Sequence, residues 1–143
     1  MDVLFYVLPS DTQAQLDHFS VKLIKKMHKQ SRQADILVAD NDQADHLSER
    51  IWAAAPDAFI ANSIAQALPA PFQLWPQPPT PQTAGADVVV NLDPQLDPTT
   101  LVETLSYQRR VEVLDQSEQR IALGRTRWRA YQRLGLTPTV HKL

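Results

Sequence analysis

Near its amino terminus the chain reads Val3-Leu-Phe-Tyr-Val-Leu8, an unbroken apolar run rich in β-branched and aromatic residues. A run of this kind is typical of a strand that is buried on both faces of a sheet. Pro9-Ser10-Asp11 ends the run, and a helix should follow because apolar side chains recur at helical spacing over residues 16–27. The opening of the chain therefore predicts a strand–helix unit.

Short apolar runs continue along the chain and predict further strands. They stand between turn residues at 35–39, 72–75, 88–90 and 111–114. The segment between the first two of these runs is less regular. A brief extended piece is expected there at Phe59-Ile60, followed by a weak helical turn over residues 63–68. Further along the chain, a short helix is expected over residues 99–105.

Two longer helices are predicted from their start and stop signals. Asp40 with Gln43 resembles a capping box that opens a helix to about residue 54, and Asp115 with Glu118 opens one to about residue 134. Gly135 stands where the second helix should stop. The alternation of strands and helices predicts one α/β domain over residues 1–143, with a mostly parallel sheet and helices on both faces.

The composition excludes several classes of site. The 143 residues include no Cys, which rules out disulfides, Cys-ligated metals and thiol catalysis. Gly85, Gly124 and Gly135 are the three glycines, and they cannot form a glycine-rich phosphate loop. The expected fold is therefore Rossmann-like without a phosphate-binding loop. No apolar run approaches the roughly 20 residues that span a bilayer, and no basic leader precedes the first strand, so a cytoplasmic protein is expected.

The net charge of −2 conceals an asymmetry between the two ends of the chain. Residues 116–143 carry six basic side chains and one acidic side chain, whereas residues 1–115 carry eight basic and fifteen acidic ones. A basic terminal segment on an acidic body predicts an anionic partner at that end.

The last predicted helix contains aromatic and arginine side chains on neighbouring stripes. Gly124, Trp128 and Tyr131 share one stripe, Arg125, Arg129 and Gln132 share the next, and Leu123, Ala130 and Leu134 are expected to form the core face. An aromatic ring between arginines, over a glycine that lets a partner approach, suits a ligand with an apolar ring and carboxylates. Two alternatives stay open: the aromatics stack the bases of single-stranded nucleic acid, or they pack at the domain edge beside solvated arginines.

Other candidate sites have weaker support. Trp52 and Phe59 flank a small-residue segment, which favours either a protein interface or burial in the core. Asp40, Asp42 and Asp45 follow a predicted strand, where helix capping is favoured over a magnesium site. The four His residues are scattered without metal-ligand spacing, and the PxxP matches within 76–81 favour a crossing loop over a docking motif.

Several segments together resemble a known family. They are Phe5-Tyr6-Val7-Leu8, Leu47…Ile51-Trp52…Phe59, Leu74-Trp75-Pro76 and the ending Arg125-x-Arg-Trp-Arg-Ala-Tyr131-x-x-x-Gly135. In the same order and at near-constant spacing, they are similar to the chi subunit of bacterial DNA polymerase III holoenzyme. The ending is the most specific part of this resemblance, which extends along essentially the whole chain.

The resemblance implies an accessory protein of the clamp-loader complex, with no catalytic activity, no cofactor and only indirect contact with DNA. It implies two partners, the psi subunit and the acidic C-terminal tail of single-stranded DNA-binding protein, which ends in Asp-Phe. By resemblance, Trp52 and Phe59 face psi, and the tail is bound by Arg125, Trp128, Arg129 and Tyr131, close to Gly135. The chain departs from its relatives at Ala61-Asn62, where they often have Pro-His, and in its proline-rich loop over 76–85.

Overall fold

Parallel strands form one sheet in the computed structural model, which describes residues 2–54, 60–80, 86–99, 102 and 106–143. Within those residues there are seven strands: β1 (Asp2–Val7), β2 (Ala34–Leu37), β3 (Asn62–Ile64), β4 (Phe72–Trp75), β5 (Val88–Asn91), β6 (Arg109–Leu114) and β7 (Thr139–Lys142). Their order across the sheet is β3-β4-β2-β5-β6-β1-β7, and every neighbouring pair is parallel. The predicted α/β class and parallel sheet are confirmed.

Helices cover both faces of this sheet, as predicted. The longer helices of the described residues are α1 (Gln13–Lys29), α2 (Asn41–Ala54) and α3 (Glu118–Arg133). α1 and α2 pack their apolar side chains on one face, against residues such as Ile36 and Val111. α3 packs on the opposite face, where Tyr131 joins Val3 and Phe5. Among the described residues, no helix is long and apolar enough to cross a membrane.

The first two helices begin with the capping bonds that their sequences favour. The Thr12 hydroxyl accepts a hydrogen bond from the Gln15 N–H at 3.3 Å at the start of α1. The Asp40 carboxylate accepts from the Gln43 N–H at 2.8 Å, and the Gln43 side chain accepts from the Ala39 N–H at 2.7 Å. Asp40 therefore has the capping role that its position predicts.

The predicted capping box at Asp115 is wrong. α3 begins at Glu118 after the N-cap residue Ser117. The fully buried Asp115 carboxylate accepts from Arg120, at 2.9 Å from Nε and 2.7 Å from Nη2, and from the Ser117 N–H at 3.1 Å. The hydrogen bonds from Arg120 raise its pKa. The carboxylate thus joins the turn before α3 to a two-pronged guanidinium and does not cap the first turn of the helix.

The expected helical turn over residues 63–68 is also wrong, because this segment starts with β3 and continues as a loop. The Gln73 side chain explains the difference. Its amide nitrogen donates to the carbonyl oxygens of Leu68 and Ala70 at 3.0 and 3.2 Å, and its oxygen accepts from the Gln66 N–H at 2.9 Å. These bonds satisfy the loop backbone, so two neighbouring parallel strands connect without an intervening helix.

β7 has no predicted counterpart, since all four of its residues are exposed and Val140 alone is apolar among them.

Thr99 and Val102 are helical, as expected for the short helix over 99–105, whose other residues lie outside the described part of the chain. Phe59 also lies outside it.

A buried ion pair ties α3 to the sheet. Glu112 in β6 is fully buried, and Arg127 in α3 is 3% exposed. Arg127 Nε lies 2.8 Å from Glu112 Oε1, which also accepts from Asn91 Nδ2 at 2.9 Å. The Tyr131 hydroxyl donates to Glu112 Oε2 at 2.9 Å, and Arg127 Nη1 donates to the Pro94 carbonyl. Burial raises the pKa of Glu112, and the Arg127 guanidinium opposes that shift.

We expect Glu112→Gln to lower the free energy of unfolding by about 3–5 kcal/mol, because the substitution leaves the Arg127 charge buried without a counterion. Urea unfolding at neutral pH measures the loss. Asp2→Asn is the control, since Asp2 pairs with Arg109 at 3.6 Å on the surface and its removal should cost about 0–1 kcal/mol. Equal stability of the two variants would show that the buried pair does not hold α3 in place.

Candidate functional site

The side of α3 that faces the sheet differs from the predicted core face. Its buried residues are Gly124, Arg127, Ala130 and Tyr131. The expectation that Leu123 and Leu134 form the core face is therefore wrong, because both are half-buried. The cause is a pair of buried hydrogen bonds. Arg127 and Tyr131 both bond the Glu112 carboxylate, so both must point toward it. This requirement fixes the rotation of the helix about its axis.

Gly124 brings α3 close to the sheet, not to an external partner. A Cβ atom at this position would lie 2.6 and 2.7 Å from the two terminal methyl carbons of Leu114 in β6. The expected role of Gly124, to let a ligand approach, is therefore wrong. Its missing side chain sets the spacing between α3 and β6.

Tyr131 is a support beneath the candidate surface. It is 4% exposed, so of the alternatives that the sequence left open, Tyr131 follows the one in which it packs within the domain. Burial and the neighbouring Glu112 raise the pKa of Tyr131, which keeps its hydroxyl protonated as a donor. Its ring packs edge-on against Phe5 with centroids 6.0 Å apart, and Trp128 packs on the same Phe5 at 5.0 Å and 61°.

These contacts define the two sides of α3. Arg127 points toward β6 and the residues after β5, where it reaches Pro94, whereas Trp128 points toward β1. Continuing around the helix past Trp128, the next exposed side chains are those of Gln132, Arg125 and Arg129. They therefore lie on the side of the helix that overlooks β7, at the edge of the sheet.

β7 adds an apolar and a basic residue to this surface. Val140 is the register partner of Phe5, so its side chain lies on the α3 face of the sheet, where it is 44% exposed. Lys142, two residues further, is exposed on the same face. We call the surface formed by Trp128, Arg125, Arg129, Val140 and Lys142 the Trp128 flank. No described carboxylate forms an ion pair with its three cations.

Gly135 shapes the chain at the end of α3. It is exposed with φ +81°, a conformation that a side chain would strain, and its N–H donates to the Gln132 carbonyl at 3.0 Å. The turn brings Leu136 back to the cluster around Phe5. The predicted end of the helix before Gly135 is thus confirmed, and the turn at Gly135 lets β7 run beside β1.

The second candidate surface lies on the other face of the sheet. Trp52 is 45% exposed in the last turn of α2, which packs on the face opposite α3. Its predicted companion Phe59 lies outside the described residues. The two candidate surfaces are therefore on opposite faces of one sheet.

A family comparison covers Trp52 and the α3 part of the Trp128 flank, and it ends before Val140 and Lys142. The family model described as DNA polymerase III chi subunit, HolC, matches residues 1–139. The chain belongs to the DNA polymerase III chi subunit family. It is accordingly an accessory replication protein of DNA polymerase III, as the sequence resemblance implied. No curated protein matches the chain in a direct sequence comparison.

In this chi family member, the acidic residues at the start of α2 do not gather into a metal site. Asp40 caps the helix, and the described residues include no group of three or more His, Asp or Glu side chains placed to hold a metal ion. The four histidines all lie within the described residues, and none of them belongs to such a group.

This chi family member has a second buried polar cluster, which was not predicted from the sequence. Asp35 in β2 is 2% exposed, and its carboxylate accepts from Trp75 Nε1 at 2.9 Å and from the Tyr107 hydroxyl at 2.7 Å. Burial raises the pKa of Asp35, and the two hydrogen bonds oppose the shift. The available signal was the charged residue inside an apolar strand, which is costly unless it finds buried partners.

Gly124→Ala should lower the free energy of unfolding, because the added methyl group overlaps Leu114. The overpacking cost of about 1–3 kcal/mol is offset in part by the roughly 1 kcal/mol that alanine gains in helix propensity, which leaves a net loss of about 0–2 kcal/mol. Thermal or urea unfolding measures the difference. Adding Leu114→Ala makes room for the methyl group, so the double variant should lose less than the sum of the single losses. Additive losses would contradict the close approach of α3 to β6.

Proposed function

We propose that the chain is a non-catalytic adaptor that joins single-stranded DNA-binding protein to the clamp loader. The Trp128 flank captures the acidic C-terminal tail of single-stranded DNA-binding protein, and the surface around Trp52 binds the psi subunit. Membership of the chi family supports the replication role. The observation that supports the tail site is an aromatic ring beside three cations that lack a described carboxylate partner.

The chemistry of the Trp128 flank fits a peptide that ends in an aromatic residue with a free carboxylate. Trp128 is half-buried and held edge-on against Phe5, so it offers a firm apolar wall to a terminal phenyl ring. Arg125 and Arg129 are exposed one turn apart, and each guanidinium can bind a carboxylate with two parallel hydrogen bonds. Lys142 extends the positive charge along β7 for acidic residues upstream of the terminus.

The structure gives less support to direct binding of single-stranded nucleic acid by α3. That alternative needs more than one stacking ring beside its cations. Arg127 is buried in its ion pair with Glu112, and Tyr131 is buried with its hydroxyl bonded to the same carboxylate. One aromatic side chain of α3 therefore remains accessible, which suits a single terminal ring better than a series of bases.

Isothermal calorimetry with a short acidic peptide ending in Asp-Phe tests the tail site. The free-acid peptide should bind, and its C-terminally amidated twin should bind roughly tenfold or more weakly, because amidation removes the charge that the arginines recognise. Binding should also weaken as salt rises. A single-stranded oligonucleotide is the competing ligand. Tight oligonucleotide binding without peptide binding would contradict tail capture.

Arg125→Ala should reduce the affinity for the free-acid peptide by roughly tenfold or more, since it removes a charge-assisted contact. Arg133→Ala is the matched control, because Arg133 is exposed on the same helix but borders the groove on the opposite side, near Pro94. Circular dichroism should show that both variants remain folded. Unchanged peptide affinity of the Arg125 variant would exclude this part of the flank.

A substitution of Trp52 tests the proposed binding of psi to the surface around this residue. Trp52→Ala should weaken association with a psi subunit by roughly tenfold or more, because exposed tryptophans are frequent interface hot spots. Leu68→Ala is the control, since Leu68 is 67% exposed in the loop after β3. Trp52→Ala should leave peptide binding at the Trp128 flank unchanged. Full psi affinity in the Trp52 variant would place that partner elsewhere.

A further inference from the structure

The two edges of the sheet differ in how they are protected. At one edge, Asn62 and Ser63 of β3 are buried, and Asn62 Oδ1 accepts from the Ser48 hydroxyl of α2 at 2.6 Å. At the other edge, all four residues of β7 are exposed, and within the described residues β7 pairs with β1 alone. An open edge strand presents unpaired N–H and C=O groups that can accept another strand.

The hydrogen bonds of β1 and β7 show which backbone groups are unpaired. The Leu143 N–H donates to the Val7 carbonyl at 3.0 Å, so the backbone of residue 143 points toward β1. Directions alternate along a strand, so residues 139 and 141 also point toward β1. The N–H and C=O groups of Val140 and Lys142 therefore point outward from the sheet.

The outward-pointing groups lie directly beside the Trp128 flank. The side chains of Val140 and Lys142 are on the α3 face, as the register of Val140 with Phe5 requires. His141 is on the opposite face, where its ring lies 5.5 Å from that of Tyr6. A peptide bound beside Trp128 is thus level with the two residues whose backbone groups are available.

We propose that the acidic peptide bound by the Trp128 flank pairs its backbone with Val140 and Lys142, as an added strand at the β7 edge. This inference rests on the proposed function and specifies how the main chain of the tail is held. Backbone pairing supplies affinity that does not depend on sequence, while the aromatic wall and the cations select the terminal ring and the carboxylates. The flank then needs few side-chain contacts to bind a short tail.

Charge favours an acidic peptide over a second copy of this chain as the occupant. Arg125, Arg129 and Lys142 surround the edge, and no described carboxylate pairs with them. Two copies joined at β7 would bring these like charges together, which is unfavourable, whereas an acidic strand would neutralise them.

Backbone-methylated peptides test the pairing on the unaltered protein. An added strand directs alternate N–H groups toward β7, so methylating one alternate set of peptide amides should weaken binding roughly tenfold or more. Methylating the intervening set should leave affinity close to that of the parent peptide. Equal losses in the two sets, or no loss in either, would overturn the pairing.

Hydrogen exchange and one substitution test the protein side. The amides of Val140 and Lys142 should exchange rapidly in the free protein and become protected in the complex, while that of Leu143 changes little. Val140→Pro removes one outward N–H at a position where an edge strand tolerates proline, and it should weaken binding roughly tenfold or more. Val140→Thr is the matched comparison, because it also changes the side chain but keeps the N–H, and it should bind more tightly than Val140→Pro.

The outcomes separate this inference from the proposed function. If the parent free-acid peptide does not bind, tail capture fails and edge pairing fails with it. If the parent binds but methylation, exchange and Val140→Pro have no effect, the tail site stands and edge pairing is wrong. Self-association that is abolished by Val140→Pro and unaffected by peptide would assign the edge to a second copy and overturn the proposal.

Discussion

The orientation of α3 depends on the buried contact between Glu112 and Arg127. A carboxylate with no access to water needs donors, and Arg127 and Tyr131 supply them from successive turns of one helix. Because both side chains must reach the same carboxylate, the helix has one acceptable rotation. That rotation turns Trp128 toward β1 and leaves Arg125 and Arg129 exposed above β7. The polar contact under the helix thus determines which groups a partner meets outside it.

The arrangement of the two candidate surfaces suits an adaptor. α2 carries Trp52 on one face of the sheet, and α3 carries the Trp128 flank on the other. Two partners on opposite faces do not compete for space, so both of the proposed partners can bind at once. The sheet between them is packed on both sides, which makes it a rigid spacer.

The sequence predicted the strands that are apolar and the helices that have local capping signals. β4 has the predicted boundaries, and β5 extends the predicted run by one residue, Asn91. β7 could not be found this way, because its exposed residues acquire their strand conformation from pairing with β1. The predicted rotation of α3 was wrong for a similar reason. Hydropathy places leucines inside and arginines outside, and Arg127 is buried only because Glu112, distant in sequence, needs it. Residue types at the candidate site were readable from sequence, but their exposure was not.

The three tryptophans provide the most direct test of the account, since each reports on a different place in the fold. Trp128 is on the proposed tail site, Trp52 is on the opposite face, and Trp75 is buried with its indole N–H bonded to Asp35. Nitrogen–proton correlation spectra recorded during titration with the acidic free-acid peptide would follow all three indole N–H signals. The account predicts that the Trp128 signal shifts on binding while those of Trp52 and Trp75 stay in place. Movement of the Trp52 signal with a stationary Trp128 signal would contradict it.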